Sequence, residues 1–172
     1  MRQALQIASI ALLMNLVISP AAFADDWDVF YQKYGGKFFV ISWDQIDYKK
    51  NGAVDAPRHR EFGYSMITPT SFRRIWRNEN KATGQVFVPG DCVLNKSSYF
   101  SANDCKTKQR MDVQGNIITN TWINNNGEVS GEAVITVSSN TCKAKFIDYE
   151  ISGSTYQAYK RTNMTCKVIN SY

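Results

Sequence analysis

The stretch Val113–Ile151 reads VQGNIITNTWINNNGEVSGEAVITVSSNTCKAKFIDYEI, and it decides the fold class of the chain. Its three segments are rich in Ile, Val, Thr, Trp, Phe and Tyr, the residue types that are enriched in β-strands. Turn-forming residues separate the segments at Gly115, at Asn124–Gly127 and at Ser138–Asn140. The stretch therefore predicts consecutive antiparallel strands joined by short turns.

The side chains of these strands alternate between two faces. Ile118 and Trp122 fall on one face and Ile117 on the other, so both faces carry apolar groups. After Cys142 the apolar positions change parity near Phe146, which predicts a β-bulge there. A sheet that is apolar on both faces and bent by a bulge is expected to curl into a barrel or to fold over into a sandwich.

The remainder of the mature chain predicts one helix and more strands. In DDWDVFYQKYGG, which starts at Asp25, an aspartate can cap a helix and Gly35 or Gly36 can end it. The apolar residues at helical spacing are Trp27, Phe30, Tyr31 and Tyr34. Strand-like runs follow at 37–48, 61–68, 71–77, 85–88, 155–161 and 164–169, with polar loops at 55–60 and 95–107. We predict an all-β fold, mainly an antiparallel meander in a barrel or sandwich, with one short N-terminal helix.

The N-terminal segment has the composition of a secretory signal peptide. Arg2 precedes an apolar run from Ile7 to Ile18, Pro20 interrupts it, and Ala22-Phe23-Ala24 supplies the small residues of a cleavage site. We expect cleavage after Ala24, leaving residues 25–172 as a single disulfide-stabilised β domain in the bacterial periplasm or outside the cell. The apolar run is shorter than the ~20 residues that a membrane-spanning helix needs, and no later run is longer.

The net charge is modestly positive and unevenly distributed. Of 20 basic residues only Arg2 lies in the signal segment, so 19 basic and 15 acidic residues give the mature chain a charge of +4. Residues 58–110 carry 10 of the basic and 4 of the acidic residues. This excess favours an anionic partner, whereas export and the modest charge argue against nucleic acid.

All four cysteines belong to the mature chain, and they predict two disulfides. Three connectivities are possible, and we favour Cys92–Cys105 and Cys142–Cys166 because each pair is local. No C-x-x-C spacing is present, so neither a zinc site nor a redox pair is expected. No metal and no cofactor are predicted.

A basic cluster with an aromatic residue is the candidate anion-binding site. Its members are Arg58, Arg60, Arg73, Arg74, Trp76 and Arg77. Guanidinium groups can grip oxyanions with two hydrogen bonds. On a strand, Arg74 and Trp76 share one face while Arg73 and Arg77 share the other. The alternative is a solvated strand pair with Trp76 in the core.

Residues suited to catalysis are sparse. The single histidine, His59, lies between two arginines, and Asp148 and Glu150 form a carboxylate pair on one strand face. The chain has no phosphate-binding glycine loop, no H-E-x-x-H and no EF-hand pattern. We therefore predict no catalytic residues, with a small secreted hydrolase using His59, Asp148 or Glu150 as the alternative.

The segment Tyr31–Phe38, a short helix and glycine turn before a first strand, resembles the start of lipocalin-type barrels. That resemblance implies an up-and-down barrel with a small apolar ligand inside. Phe38 stands where that family has tryptophan, and we do not assign the chain to it.

Together these features indicate an exported, non-catalytic binding protein. Its ligand is expected either inside a barrel, as a small apolar molecule, or at a basic edge, as an anionic partner. Besides the hydrolase, the other alternative is an envelope protein that inhibits or scaffolds a partner protein.

Overall fold

The computed structural model describes residues 24–96, 108–149 and 154–172, and the side chains of residues 87–90 are not part of that description. Within these ranges one helix precedes nine strands. The elements are α1 (Asp26–Tyr34), β1 (Phe38–Lys49), β2 (Arg58–Thr68), β3 (Ser71–Asn80), β4 (Val86–Asn95), β5 (Lys108–Gln114), β6 (Ile117–Ile123), β7 (Val129–Ser138), β8 (Thr141–Asp148) and β9 (Tyr156–Ile169).

The strands form one antiparallel sheet in the order β4-β3-β2-β1-β9-β8-β7-β6-β5. The two terminal strands, β4 and β5, contact each other, so the sheet curls into a nearly closed barrel. The predicted all-β fold with a short N-terminal helix is confirmed.

Side chains fill the centre of the barrel. Strand alternation places Phe39 and Ile41 of β1 on the inward face, where Tyr64 and Phe62 of β2 stand opposite them. The residues that are almost fully buried include Phe39, Ile41, Tyr64, Met66, Phe72, Leu94, Met111, Ile118 and Ile135. The centre is therefore a packed core, as expected for a barrel of this size.

Helix α1 closes one end of this core. The Asp25 carboxylate caps the helix by accepting hydrogen bonds from the backbone N–H groups of Trp27, at 3.0 Å, and Asp28, at 3.1 Å. Trp27 meets Phe72 edge to face, with ring centroids 5.5 Å apart, and Phe30 lies 5.7 Å from Phe39. The predicted cap and the predicted apolar stripe are confirmed.

Strands β8 and β9 are joined in an unusual way. In the described ranges they are paired at one position only, Thr141 opposite Lys167. The predicted Cys142–Cys166 disulfide is confirmed beside that position, with the two Cα atoms 5.4 Å apart. Cys92 is also disulfide-bonded, and Cys105, its predicted partner, lies outside the described residues.

The predicted bulge near Phe146 is wrong. Strands β7 and β8 pair without a register shift from Gly131–Asp148 to Ser138–Thr141, and Ile147 belongs to the outer face. Register shifts occur in other strand pairs instead: between β1 and β9 near Ser42 and Tyr48, between β2 and β3, between β3 and β4, and between β6 and β7.

Three predicted strand boundaries are also wrong. Strand β2 begins at Arg58, so the predicted loop is shorter. Strand β4 continues past Pro89, which lies where the register of β3 and β4 shifts, so that its missing N–H removes no ladder bond. The two predicted C-terminal strands are one strand, β9, in which Asn163 takes a positive φ of 54°.

No helix in the described part of the chain is long and apolar enough to cross a membrane. Residues 1–23 lie outside the description, so the signal peptide remains a prediction.

Candidate functional site

A cavity of about 360 Å³ lies at the end of the barrel away from α1. Strand β1 connects the two ends, since Phe39 packs against α1 and Asp47 lines the cavity. We call this cavity the mouth. Its walls come from β1, β2, β6, β7, β8 and β9, and they include Trp43, Asp47, Arg58, Phe146, Asp148 and Arg161.

Four aromatic rings form the floor of the mouth and separate it from the packed core. Trp43 lies with its ring centroid 4.8 Å from that of Phe62 and 4.4 Å from that of Phe146. Trp122 stacks on Phe146 at 6.1 Å with an interplanar angle of 23°. Such contacts stabilise each ring beyond the burial of its area and hold the floor rigid.

A chain of hydrogen bonds rises from the floor along the inward face of β1. The Trp43 Nε1–H group donates to Gln45 Oε1 at 2.8 Å, and Gln45 Nε2 donates to Asp47 Oδ1 at 2.5 Å. Arg60 Nη2 donates to the other oxygen, Asp47 Oδ2, at 3.3 Å. These bonds satisfy both groups of the buried Gln45 amide and fix the Asp47 carboxylate.

Two guanidinium groups in the mouth are held by carboxylates. Arg161 donates from both terminal nitrogens to Asp148, with Nη2 2.8 Å from Oδ1, and lies over the Phe146 ring at 4.7 Å. Burial lowers the pKa of Arg60, Asp47 opposes this effect, and the nearby cations Arg58 and Arg161 add to it. The mouth is thus a crowded and partly desolvated cationic site.

The third guanidinium, that of Arg58, is the least engaged. Arg58 of β2 pairs with the buried Gln45 of β1. Because paired residues lie on the same face of a sheet, the Arg58 side chain is directed towards the mouth. Its one ion pair in the described ranges is with Asp55 at 3.8 Å, and its side chain is 41% exposed. Arg58 is therefore the guanidinium of the mouth that is most available to an incoming anion.

Two tyrosines border the mouth on β9. Tyr156 and Tyr159 have ring centroids 5.8 Å apart. Burial raises the pKa of Tyr159, and the neighbouring carboxylates of Asp47 and Asp148 raise it further, so this hydroxyl stays protonated as a donor at neutral pH. Gly131 of β7 also lines the mouth, and an added Cβ there would lie 3.0 Å from the Ile147 carbonyl oxygen.

The mouth therefore combines an aromatic floor with three guanidiniums and two carboxylates, for a net charge of +1. No family model, curated protein or solved structure matches this chain. The chemistry of the mouth is accordingly derived from its own groups.

The structure divides the predicted anion-binding residues among three places. Arg58 and Arg60 line the mouth. Arg74, buried on the inward face of β3, lies over the Phe62 ring at 4.3 Å and over the Trp76 ring at 4.9 Å. Arg73 and Arg77 lie on the outer face, where Arg73 pairs with Asp91. Strand β3 is paired on both sides, so its cations do not form one basic edge.

The candidate catalytic residues are also apart. His59 is on the outer face of β2, and its Nδ1 lies 3.0 Å from Asp44 Oδ1. Hydrogen bonds from Lys81, Asn163 and His59 hold the pKa of Asp44 well below its usual range. No serine or cysteine of the described ranges hydrogen-bonds to His59, and no cluster there could hold a metal ion.

Asp148 faces the mouth and is bound to Arg161, while Glu150 lies outside the described residues. The sequence of β1 contains a signal for the mouth. The inward face of β1 continues from Trp43 to Gln45 and Asp47, so an apolar face becomes polar at one end. Polar residues on an inward face indicate either a buried hydrogen-bond network or a binding site.

Proposed function

We propose that the chain is an exported, non-catalytic binding protein whose mouth holds a ring-bearing anionic ligand. The signal-like N-terminus and the Cys142–Cys166 disulfide support export, because disulfides persist in oxidising compartments. The proposal rests mainly on Arg58, which lies beside the aromatic floor and whose guanidinium is the least engaged of the three.

The floor and the cations would act on different parts of the ligand. A planar or cyclic body packs on Phe146 and Trp122 and removes apolar area from water. An acidic group then lies within reach of Arg58, while Arg60 and Arg161 add positive potential. Their carboxylate partners leave a net positive charge, which favours anions over cations.

The size of the cavity supports a small ligand or one unit of a larger one. About 360 Å³ is near the lower end of the ~300–1,000 Å³ that small-molecule sites occupy. Side chains fill the core below the floor, so the mouth is a better position for the ligand than the centre of the barrel.

Substituting Arg58 tests the proposal. The probe is 1-anilinonaphthalene-8-sulfonate, which carries fused rings and a sulfonate. We expect one probe per chain under native conditions and an affinity that is about tenfold to a hundredfold weaker in Arg58→Gln, because a charge-assisted hydrogen bond is lost. Fluorescence titration at two salt concentrations gives the dissociation constants.

Arg77→Gln is the matched control, since it removes the same charge from the outer face. Its affinity should remain within about twofold of the wild type, because exposed charges at a distance are screened by salt. Equal weakening by both substitutions, or no effect of Arg58→Gln, would contradict binding in the mouth. Native mass spectrometry of protein from its own host then reports any copurified ligand.

A further inference from the structure

Two more cavities adjoin the mouth at Tyr156, one of the two tyrosines that border it. The first, of about 500 Å³, shares Ser130, Asp148, Tyr156 and Tyr159 with the mouth. The second, of about 370 Å³, shares Lys50 and Tyr156 with the first. Tyr156 lines all three, so the cavities adjoin one another between the aromatic floor and the β1–β2 turn, and we call the three together the groove.

Lys50, at the far end of this groove, is a cation with no partner among the described residues. Its side chain is exposed and makes no hydrogen bond or ion pair with the described residues. Its backbone N–H donates to the Thr155 carbonyl oxygen at 2.9 Å, which fixes its position beside Tyr156. The adjacent Lys49, by contrast, is bound to Asp55 at 2.7 Å. The groove thus has one available cation at each end, Arg58 and Lys50.

Polar groups and tyrosine rings line the part between them. They are Ser130, Ser154, Gln157, Tyr149, Tyr156 and Tyr159, together with Asp148, whose carboxylate is bound to Arg161. Hydroxyl and amide groups can exchange hydrogen bonds with the hydroxyls of a sugar, and the tyrosine faces can pack on its C–H groups. Ala158 is the one aliphatic side chain that lines the cavity of about 500 Å³, and tyrosine rings, which also carry hydroxyl groups, supply much of its other apolar surface, so this part suits a sugar better than a lipid chain.

We propose that the groove binds a linear acidic oligosaccharide. One ring lies on the aromatic floor with its acid at Arg58, a following ring lies against Tyr156 and Tyr159, and a second acid reaches Lys50. This assignment rests on the proposed function and extends it from one ring to a chain of rings. It differs from binding of a single small anion by requiring affinity to rise with ligand length.

Galacturonate and trigalacturonate test the assignment in calorimetric titrations of the mature protein. We expect the trimer to bind at least tenfold more tightly than the monomer, from one additional charge-assisted hydrogen bond and more ring contact. Lys50→Gln should remove most of that gain and leave monomer binding unchanged. Arg58→Gln should weaken both ligands. Lys33→Gln, on the exposed face of α1, is the charge-matched control and should change neither.

The outcomes separate this inference from the proposed function. Arg58-dependent binding of the naphthalene sulfonate, without a length effect for uronates, would overturn the oligosaccharide and leave the single-anion site standing. Loss of Arg58 dependence for every probe would overturn both. Equal or tighter binding of hexaglutamate, or of vesicles with phosphatidylglycerol, would replace the oligosaccharide with an acidic peptide or a membrane surface.

Discussion

Trp43→Ala should lower the free energy of unfolding by about 3–5 kcal/mol, the range for truncating a large buried aromatic side chain. Trp43 is 1% exposed and lies closer than Trp122 to both phenylalanines of the floor, with its ring centroid 4.8 Å from that of Phe62 and 4.4 Å from that of Phe146. Its loss also leaves the buried Gln45 carbonyl without its donor. Urea unfolding followed by far-ultraviolet circular dichroism measures the change without relying on tryptophan emission.

Trp43→Phe is the matched variant for this prediction. It retains an aromatic ring on the floor but removes the indole N–H, so we expect a smaller loss of about 1–3 kcal/mol. The alanine variant should also bind the naphthalene sulfonate more weakly, because the floor loses its central ring. A destabilisation below ~1 kcal/mol for Trp43→Ala would contradict a rigid, packed floor.

The double substitution Cys142→Ala/Cys166→Ala should lower the free energy of unfolding by about 3 kcal/mol. The disulfide closes a loop with a sequence separation of 24, and it joins two strands that are paired at a single position in the described ranges. Few ladder bonds therefore remain to hold β8 against β9 once the cross-link is lost. Thermal unfolding should show a fall of about 10 °C in midpoint.

The double variant retains both remaining cysteines, so it separates this bond from the disulfide of Cys92. Adding reductant to the variant then measures the contribution of the cysteines that remain. An unchanged midpoint in the double variant would mean that side-chain packing alone joins β8 to β9.

Local features of the sequence predicted local structure well. Helix α1 follows from an aspartate before an apolar stripe, and both signals lie within a few residues of each other. Strand boundaries were harder to predict, because pairing with distant segments decides them. Pro89 lies at a register shift between β3 and β4. Asn163 lies inside β9, at a register shift in the pairing of β9 with β1. The residues around Pro89 and Asn163 do not reveal that β3 and β1 are the strands that pair there.

The binding site was also hard to predict from local sequence, because its residues come from distant segments. Alternation correctly separated Arg74 and Trp76 from Arg73 and Arg77, but it could not show that β3 lies between two other strands. The mouth joins Asp47, Trp122, Asp148 and Arg161, which are far apart in sequence and meet only when the sheet closes. The continuation of the polar inward face of β1 was the one local sign of this site.

Ligand binding in the mouth can be tested directly with the four tryptophans as reporters. Trp43 and Trp122 form the floor of the mouth, whereas Trp27 packs in α1 at the other end and Trp76 packs against Arg74. In ¹⁵N NMR spectra of the indole N–H groups, titration with the naphthalene sulfonate should shift the signals of Trp43 and Trp122 and leave that of Trp27 in place. Shifts centred on Trp27, with Trp43 and Trp122 unchanged, would contradict a ligand site in the mouth.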